Sequence, residues 1–591
     1  MANIGETARQ VYSTLVEFNR TEIPDLLRAK TVEKFRPPVE YIISNLQKHY
    51  VETGLPLSAK GQKTAALSRE LDREMAISYK IVIERIISGD SSQFDRRLLV
   101  ITLHRALFYL GQTLLQNALV YSGWPDGTWR EINAIYAYAS QNQIHRVPVK
   151  ADDTRSGGSN SSIEDLFKGL MLFASATPHR LRQSHAKLLF AKLEDWVTHT
   201  TILEDDDGGT SLGRFNVDLW TDSAPMHNSL RTPMPGKRMA ILDVRNLLKK
   251  LRSDFEQAPW DNRSAIQSGR QETTRPFLRL LIMAWSRPPD RRYVRTKLNF
   301  DLQVVAGMHA IHANLHADEN PPYPRASAEL FTLEDEDPSA QARARAKIDW
   351  SSGSLENVSL APLDSDLISD SLFNDSRLST DNISEPASQL RAFATRSNAA
   401  VPAAEKEQSP QRKGDSHPVN TINESAGGYS IRWKGEHIPR VKIGELIGVE
   451  SPADPHKYGL GVVRWMQQLP DEFLNLGLEI ISTRCEAGEV HEADADKPRR
   501  RGPVFKCLII NDTDEAANAT ASLIMSAMNL QTGVELVLTL GDREQLIRLT
   551  RLVEFSSAFA RYLFEFVRTQ QAEDETSNSP ADDFNDLWGT L

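Results

Sequence analysis

Residues 423–433 read NESAGGYSIRW, and they stand where a long polar segment gives way to an alternating apolar pattern. Asn423, Gly427 and Gly428 are residue types that tolerate positive φ, so one role for the stretch is a turn feeding a sheet. The same composition also suits a ligand loop, in which glycines let backbone N–H groups approach an anion and Asn and Ser add side-chain contacts. Downstream the hydrophobic period is two: GYSIRW, RVKIGELIGV, YGLGVVRWM and LNLGLEIIS succeed one another with Gly, Asp and Pro between them. That pattern predicts an antiparallel meander or barrel. After a charged loop, EAGEVHEADADKPRRRG, the segments FKCLIIND, ASLIMSA, VELVLTL and REQLIRLTRLVEF continue the β pattern to about 569.

Upstream the period changes. Residues 6 to about 200 repeat apolar side chains at three and four, as in IVIERII (81–87) and LLFAKLEDWV (188–197), with breaks at GLPLS, GDSSQ, WPDG and DDTRSGGSNSS. This predicts several helices in a bundle or in stacked hairpins, without a fixed-period repeat. Between 205 and 286 the pattern is mixed: FNVDLW and RMAILDV suit short strands, VRNLLKKLRSDF and RPFLRLLIMAW suit helices. The basic charges of 244–252 form a solvated helix face. Residues 316–418 are rich in Ser, Asp, Glu, Ala and Pro and have too little apolar surface to offset chain entropy, so disorder is expected there. The tail from 570 is acidic and places Phe584, Leu587, Trp588 and Leu591 at helical spacing.

At 591 residues the chain exceeds a single core. A net charge of −10 argues against a nucleic-acid polymer or an anionic membrane as the bulk partner. The longest apolar run, 98–121, carries His104 and Arg105 at its middle and is expected to be a buried core helix, so no integral membrane segment is expected. The N-terminus has no signal-peptide pattern, and Cys485 and Cys507 alone make no disulfide framework; a reducing cytoplasm is expected. No phosphate-binding loop, dinucleotide fingerprint, nucleophile elbow or His-Glu-x-x-His occurs, so no enzyme is expected. His309, His312 and His316 fall at helical spacing, but no carboxylate or Cys lies in register, and no metal site is assigned. Trp433 and Trp465, in SIRW and VVRW, suit barrel packing better than base stacking.

One cluster departs from the acidic background. SRPPDRRYVRTKLNFDLQVVAG (286–307) holds Arg287, Arg291, Arg292, Arg295 and Lys297, followed at once by a strand-like FDLQVV. Arg291 and Arg295 face the same way in either a helix or a strand. Paired guanidinium groups match phosphate bidentately and stack on flat bases; a solvated basic loop is the plain alternative.

RRYVR (291–295) before a strand, with NESAGG (423–428) before further strands, resembles the Arg-x-x-x-Arg and Asn/Asp-x-Ser-x-x-Gly motifs of the PilZ domain, a small β-barrel that binds the second messenger cyclic di-GMP. The resemblance implies that Arg291 and Arg295, with Arg292 beside them, meet phosphates and guanines. Asn423 and Ser425 would hydrogen-bond the ligand, and Gly427 and Gly428 would allow close backbone approach. More than a hundred residues separate the motifs, an interval that a long excursion from one barrel loop accommodates, since closure entropy grows only logarithmically. The expected architecture is α+β: a helical domain (1–204), a mixed connection (205–286), a PilZ-like barrel split into 287–315 and 419–484 around the 316–418 insertion, a β-rich extension (503–569) and the acidic tail (570–591). The implied function is a cyclic di-GMP effector acting on an unidentified protein partner through the helical domain or the tail; the rival is a ligand-free scaffold.

Overall fold

The computed structural model describes residues 4–88, 96–150, 160–203, 211–230, 238–258, 273–287, 295–317 except 298, and 416–567 except 426, 435–438, 452–453, 470–472, 493–502, 512–520, 529 and 557. Arg291, Arg292, nearly all of the expected insertion and the tail with Phe584 and Trp588 therefore lie outside the described residues. The chain forms two compact units, Met1–Arg484 and Cys485–Leu591.

The first unit begins with seven helices: α1 (Ile4–Arg20), α2 (Asp25–Gln47), α3 (Ala59–Ile87), α4 (Arg96–Leu119), α5 (Thr128–Gln141), α6 (Ile163–Ser175) and α7 (Gln183–Trp196). Their starts carry local signals. Ser58 caps α3 by accepting from the Gly61 N–H at 3.2 Å, and Ser162 and Asp165 form a reciprocal capping box on α6, each worth about 1 kcal/mol. Helix α4 alone among the described helices is long and apolar enough to cross a bilayer, yet it is largely buried, and it packs along α3. Buried polar groups are cross-linked: the Tyr79 hydroxyl donates to Glu33 at 2.6 Å, Arg36 donates to the other oxygen of Glu33 at 3.0 Å, and Gln116 accepts from the Tyr50 hydroxyl at 2.6 Å. Such satisfied networks hold helices in one register.

Next comes a four-stranded antiparallel sheet made of β1 (Thr201–Leu203), β2 (Arg214–Asp218), β3 (Met226–His227) and β4 (Met239–Asp243) in the order β1-β4-β2-β3. Helices α8 (Arg245–Gln257) and α9 (Arg275–Ser286) follow, as the 3.6 period of 245–257 and 275–286 predicts. Leu247, Leu248 and Leu251 of α8 are buried; of its basic residues Lys249 is exposed, while Arg245, Lys250 and Arg252 are half-buried, Arg245 paired with Asp243 and Lys250 with Asp254. Trp285 of α9 anchors this region to the helices through its Nε1–H to the Leu172 carbonyl, at 3.1 Å, and an edge contact with Trp196.

The unit closes with a barrel. Strands β5 (Thr296–Lys297) and β6 (Asp301–Ala306) lead into α10 (Met308–Ala317); after the undescribed interval come β7 (Ser416–Ser425), β8 (Gly428–Trp433), β9 (Leu446–Ser451), β10 (Asp454–Gln468) and β11 (Leu474–Ser482). Their order is β5-β7-β6-β9-β10-β11-β8, and β8 pairs back onto β7, closing a six-stranded antiparallel ring. The interval expected to be disordered is bounded by structure at both ends: 316–317 belong to α10 and 416–418 to β7. His417, Val419 and Thr421 alternate in β7, a period-two signal diluted in the sequence by Pro418, Asn420 and the polar run before it. Trp433 is buried against His417, as a packing residue should be. In α10, His312 is buried and His309 is exposed, so the pair is divided between core and solvent.

In the second unit, β12 (Glu486–Glu492), β13 (Phe505–Asn511), β14 (Ala521–Ser526), β15 (Glu535–Leu540), β16 (Arg543–Phe555) and β17 (Phe559–Phe566) form another closed barrel, ordered β12-β13-β14-β17-β16-β15. The β-rich extension is thus a complete barrel. EAGEVHE, expected to open a charged loop, is instead the strand that closes it, pairing with both β13 and β15. Only Gly488 and Val490 turn inward there, too short an apolar alternation to stand out in sequence.

Candidate functional site

Arg295, the described end of the first quoted motif, meets the second motif on the wall of the first barrel. Strand β5 is an edge extension of β6 along β7, and its register sets Lys297 opposite Asn423 and Thr296 opposite Glu424. Arg295 immediately precedes this pair, so it stands at the level of Ser425, and alternation puts Arg295, Lys297, Asn423 and Ser425 on one face. That face is the outer one, because Glu424 between them is buried. Arg295 and Lys297 are exposed, and Asn423 and Ser425 are half-buried. Among the described residues the Asn423 side chain makes no hydrogen bond. The Ser425 hydroxyl donates weakly to the Gly428 carbonyl at 3.3 Å.

NESAGG is not a free loop. It is the end of β7 and a two-residue turn, Ser425 pairing with Gly428 across it. The close approach that Gly428 permits is to protein: at φ 150° its Cα lies so near the Leu478 carbonyl of β11 that a Cβ has no room. Gly427 also serves the fold, its carbonyl accepting from the Ile480 N–H at 3.1 Å. The glycines therefore seal the barrel where β7, β8 and β11 converge, and Asn423, Ser425 and Arg295 are left as the polar groups of the outer face. Behind the hairpin Glu424 pairs across the strands with Tyr429, both buried; burial first and then Glu424 push the Tyr429 phenol well above its ordinary pKa.

The outer row continues onto β11 and β10. Gly428 pairs with Glu479, and Arg464 of β10 donates to Glu479 at 2.5 Å. With strands about 4.8 Å apart, the row from Arg295 through Ser425 and Gly428 to Glu479 spans about 15 Å, within the reach of one dinucleotide-sized ligand. A further cation, invisible to motif inspection, comes from the helices. Arg180 ends a short 3-10 turn (Pro178–Arg180) between α6 and α7 that packs on β10. Its guanidinium is held below the usual value by burial first, then by Arg464 and Arg295, with Glu479 opposing. Nothing in SATPHRLRQS marks Arg180, because its neighbours lie more than a hundred residues away in the chain. Beside Trp433, Arg432 is engaged with Asn475 at 3.2 Å and lies over the Phe473 ring, while the Trp465 ring fills the space beside its cross-strand partner Gly477. No cluster of His, Cys, Asp and Glu able to hold a metal occurs among the described residues.

Three family models match the chain in succession. The model described as "Cyclic-di-GMP receptor FimW, N-terminal domain" matches residues 1–206, "Cyclic-di-GMP receptor FimW, middle PilZ domain" matches 214–487, and "FimW C-terminal beta-barrel domain" matches 495–567. Over 611 aligned residues the chain is 24% identical to the cyclic-di-GMP receptor FimW of Pseudomonas aeruginosa, covering 100% of this chain and 94% of that one. A solved structure titled "MrkH, A novel c-di-GMP dependence transcription regulatory factor" is aligned at 9% identity and a TM-score of 0.12, over 26% of this chain and 74% of that chain.

Proposed function

The chain belongs to the three-domain FimW family, whose middle domain is a PilZ domain, and from that premise we propose that it is a cyclic di-GMP receptor whose ligand lies on the outer face of the β7–β8 hairpin. The observation that carries this is the β5–β7 register, which sets Arg295 and Lys297 beside Asn423 and Ser425 although more than a hundred residues intervene in sequence. The ligand is a dianion with two flat purines. Arg295 supplies a forked cation for phosphate or a guanine edge, Lys297 a point charge, and Asn423 and Ser425 a donor and acceptor apiece. Arg291 and Arg292, outside the described residues, enter the same role through the motif alone. Gly427 and Gly428 act by holding the turn.

The output is conformational: ligand charge draws the arginine segment onto the hairpin and changes the surface offered to a protein partner, with no reaction required. A cytoplasmic site of action accords with the two cysteines, both buried and neither in a disulfide. Isothermal titration of the full chain with cyclic di-GMP tests the reading. Saturable heat is expected, with Arg295→Ala weakening binding about tenfold or more, since charge-assisted bonds contribute roughly 1.5–3 kcal/mol. Absence of heat with the folded wild type, or an unchanged affinity in Arg295→Ala, would sink it.

A further inference from the structure

The 3-10 turn that presents Arg180 is strained and fixed in place. Thr177, just before it, sits at φ 51° and ψ 69°, a left-handed conformation that a β-branched residue rarely adopts and that persists only when surrounding structure imposes it. Two residues beyond Arg180, Arg182 donates from Nε to the Ile443 carbonyl of the barrel at 3.1 Å. Elsewhere the helical domain is tied to the same barrel by backbone bonds: Gln468 N–H to the Tyr121 carbonyl at 2.9 Å, and Leu55 and Val441 exchanging bonds at 3.0 and 2.8 Å. The turn is therefore docked on β10 as part of a rigid junction within the first unit.

What this junction holds in place is an imbalance of charge. Arg464 and Arg295 both act to depress the Arg180 guanidinium, and Glu479, which opposes them, is already engaged by Arg464. Neither Arg180 nor Arg295 makes an ion pair among the described residues. Clustered cations repel, and a chain of net charge −10 has carboxylates enough to neutralise them elsewhere on its surface. A bound anion relieves the repulsion, and the strained turn, packed on β10, brings Arg180 to the wall that carries Arg464.

Resting on the cyclic di-GMP reading above, we propose that Arg180 is a ligand-binding residue contributed by the helical domain, closing on a phosphate of the dinucleotide from the side opposite Arg295. Ligand binding then bridges the helical domain and the barrel, so the second messenger is sensed by both domains at once. Because Arg180 belongs to the α6–α7 connection, charge neutralisation at the barrel is transmitted directly to the helices.

Titrations of the full-length wild type, Arg180→Ala, Arg180→Lys and Arg295→Ala with cyclic di-GMP, each protein checked by circular dichroism, test this together with hydrogen exchange across 174–184. Arg180→Ala is expected to bind about tenfold or more weakly, with Arg180→Lys intermediate, and ligand should slow exchange in that segment of the wild type. Wild-type affinity in Arg180→Ala while Arg295→Ala loses binding would overturn the role of Arg180 and leave the hairpin site standing. Unchanged exchange at 174–184 on saturation would overturn it even if Arg180→Ala proved unstable. A wild type that takes up no ligand would remove both readings.

Discussion

The two barrels share a ring of six antiparallel strands, and each contains a hairpin with a two-residue turn, Ser425 opposite Gly428 in one and Leu540 opposite Arg543 in the other. Their surroundings differ. At the first turn the backbone of β11 presses against Gly428, whereas nothing lies within 4 Å of the space a Cβ would take at Gly541. On the first wall Arg180 and Arg295 face further cations; on the second, Arg548 rests between Glu535 at 2.7 Å and Glu565 at 3.5 Å. The two walls thus share a strand architecture and differ in charge: edge strand β5 and the helical domain bring Arg295, Lys297 and Arg180 to the first, and none of the three makes an ion pair among the described residues. Architecture does not select the site; the placement of uncompensated charge does.

The largest break in this comparison is expected at the turns. Gly428→Val forces a side chain into the Leu478 carbonyl, and chemical denaturation should show a loss of about 3 kcal/mol in the first unit. Gly541→Ala, at φ 55° in open space, should cost only about 1 kcal/mol in the second. Equal losses at the two sites would contradict the different roles assigned to these glycines.

Acid should separate the units next. His104 is buried beside Arg105 and Arg36, and His185 packs 5.0 Å from Phe277; burial above all pushes both down to about 3 from 6.5. Their folded pKa values lie below the unfolded ones, so the native state binds fewer protons. The stabilisation is present above pH 6.5 and is lost as pH falls from there toward 3. A loss of about 1.4 kcal/mol per pH unit for each histidine, up to roughly 2–3 for the pair, is expected in the first unit, read as a falling melting temperature, and His104→Gln should flatten the slope. A slope unaltered in that variant would remove His104 from the account.

Smaller effects sharpen the picture. Ser425→Ala removes a hydroxyl held only by the 3.3 Å bond to Gly428; ligand affinity should fall about threefold with little change in stability. Arg548→Ala should leave cyclic di-GMP affinity unchanged, since its partners are carboxylates of its own barrel. Cys507 of β13 is buried and its thiol is held protonated by burial and then by Glu489, so alkylation should await unfolding and will report opening of the second barrel alone.

Much of the strand and helix pattern was legible because pattern follows burial: VELVLTL buries alternate residues, GYSIRW and LNLGLEIIS are short apolar-rich runs buried on nearly every residue, and LLFAKLEDW buries one stripe of α7. Strand β12 was missed because Gly488 and Val490 alone turn inward, among five neighbours that carry no comparable apolar signal. NESAGG was legible as a turn and as half of a motif, but its glycines proved to answer to Leu478 and Ile480, residues that no local pattern connects with them. Arg180 gave no local sign at all.

By itself, then, the sequence determined most of the helices and strands, pointed to two separated motifs of one domain, and showed which residue types could face a dianion. These are properties of short-range periodicity and side-chain chemistry. Only the tertiary structure decided that Arg295 lies level with Ser425, that Gly428 is pinned by β11 and that Arg180 joins the cluster, because each depends on a pairing register or docking contact between residues far apart in the chain. Electrostatic neighbourhood is set by distance in space, and the linear order of residues does not encode that distance until the barrel has closed.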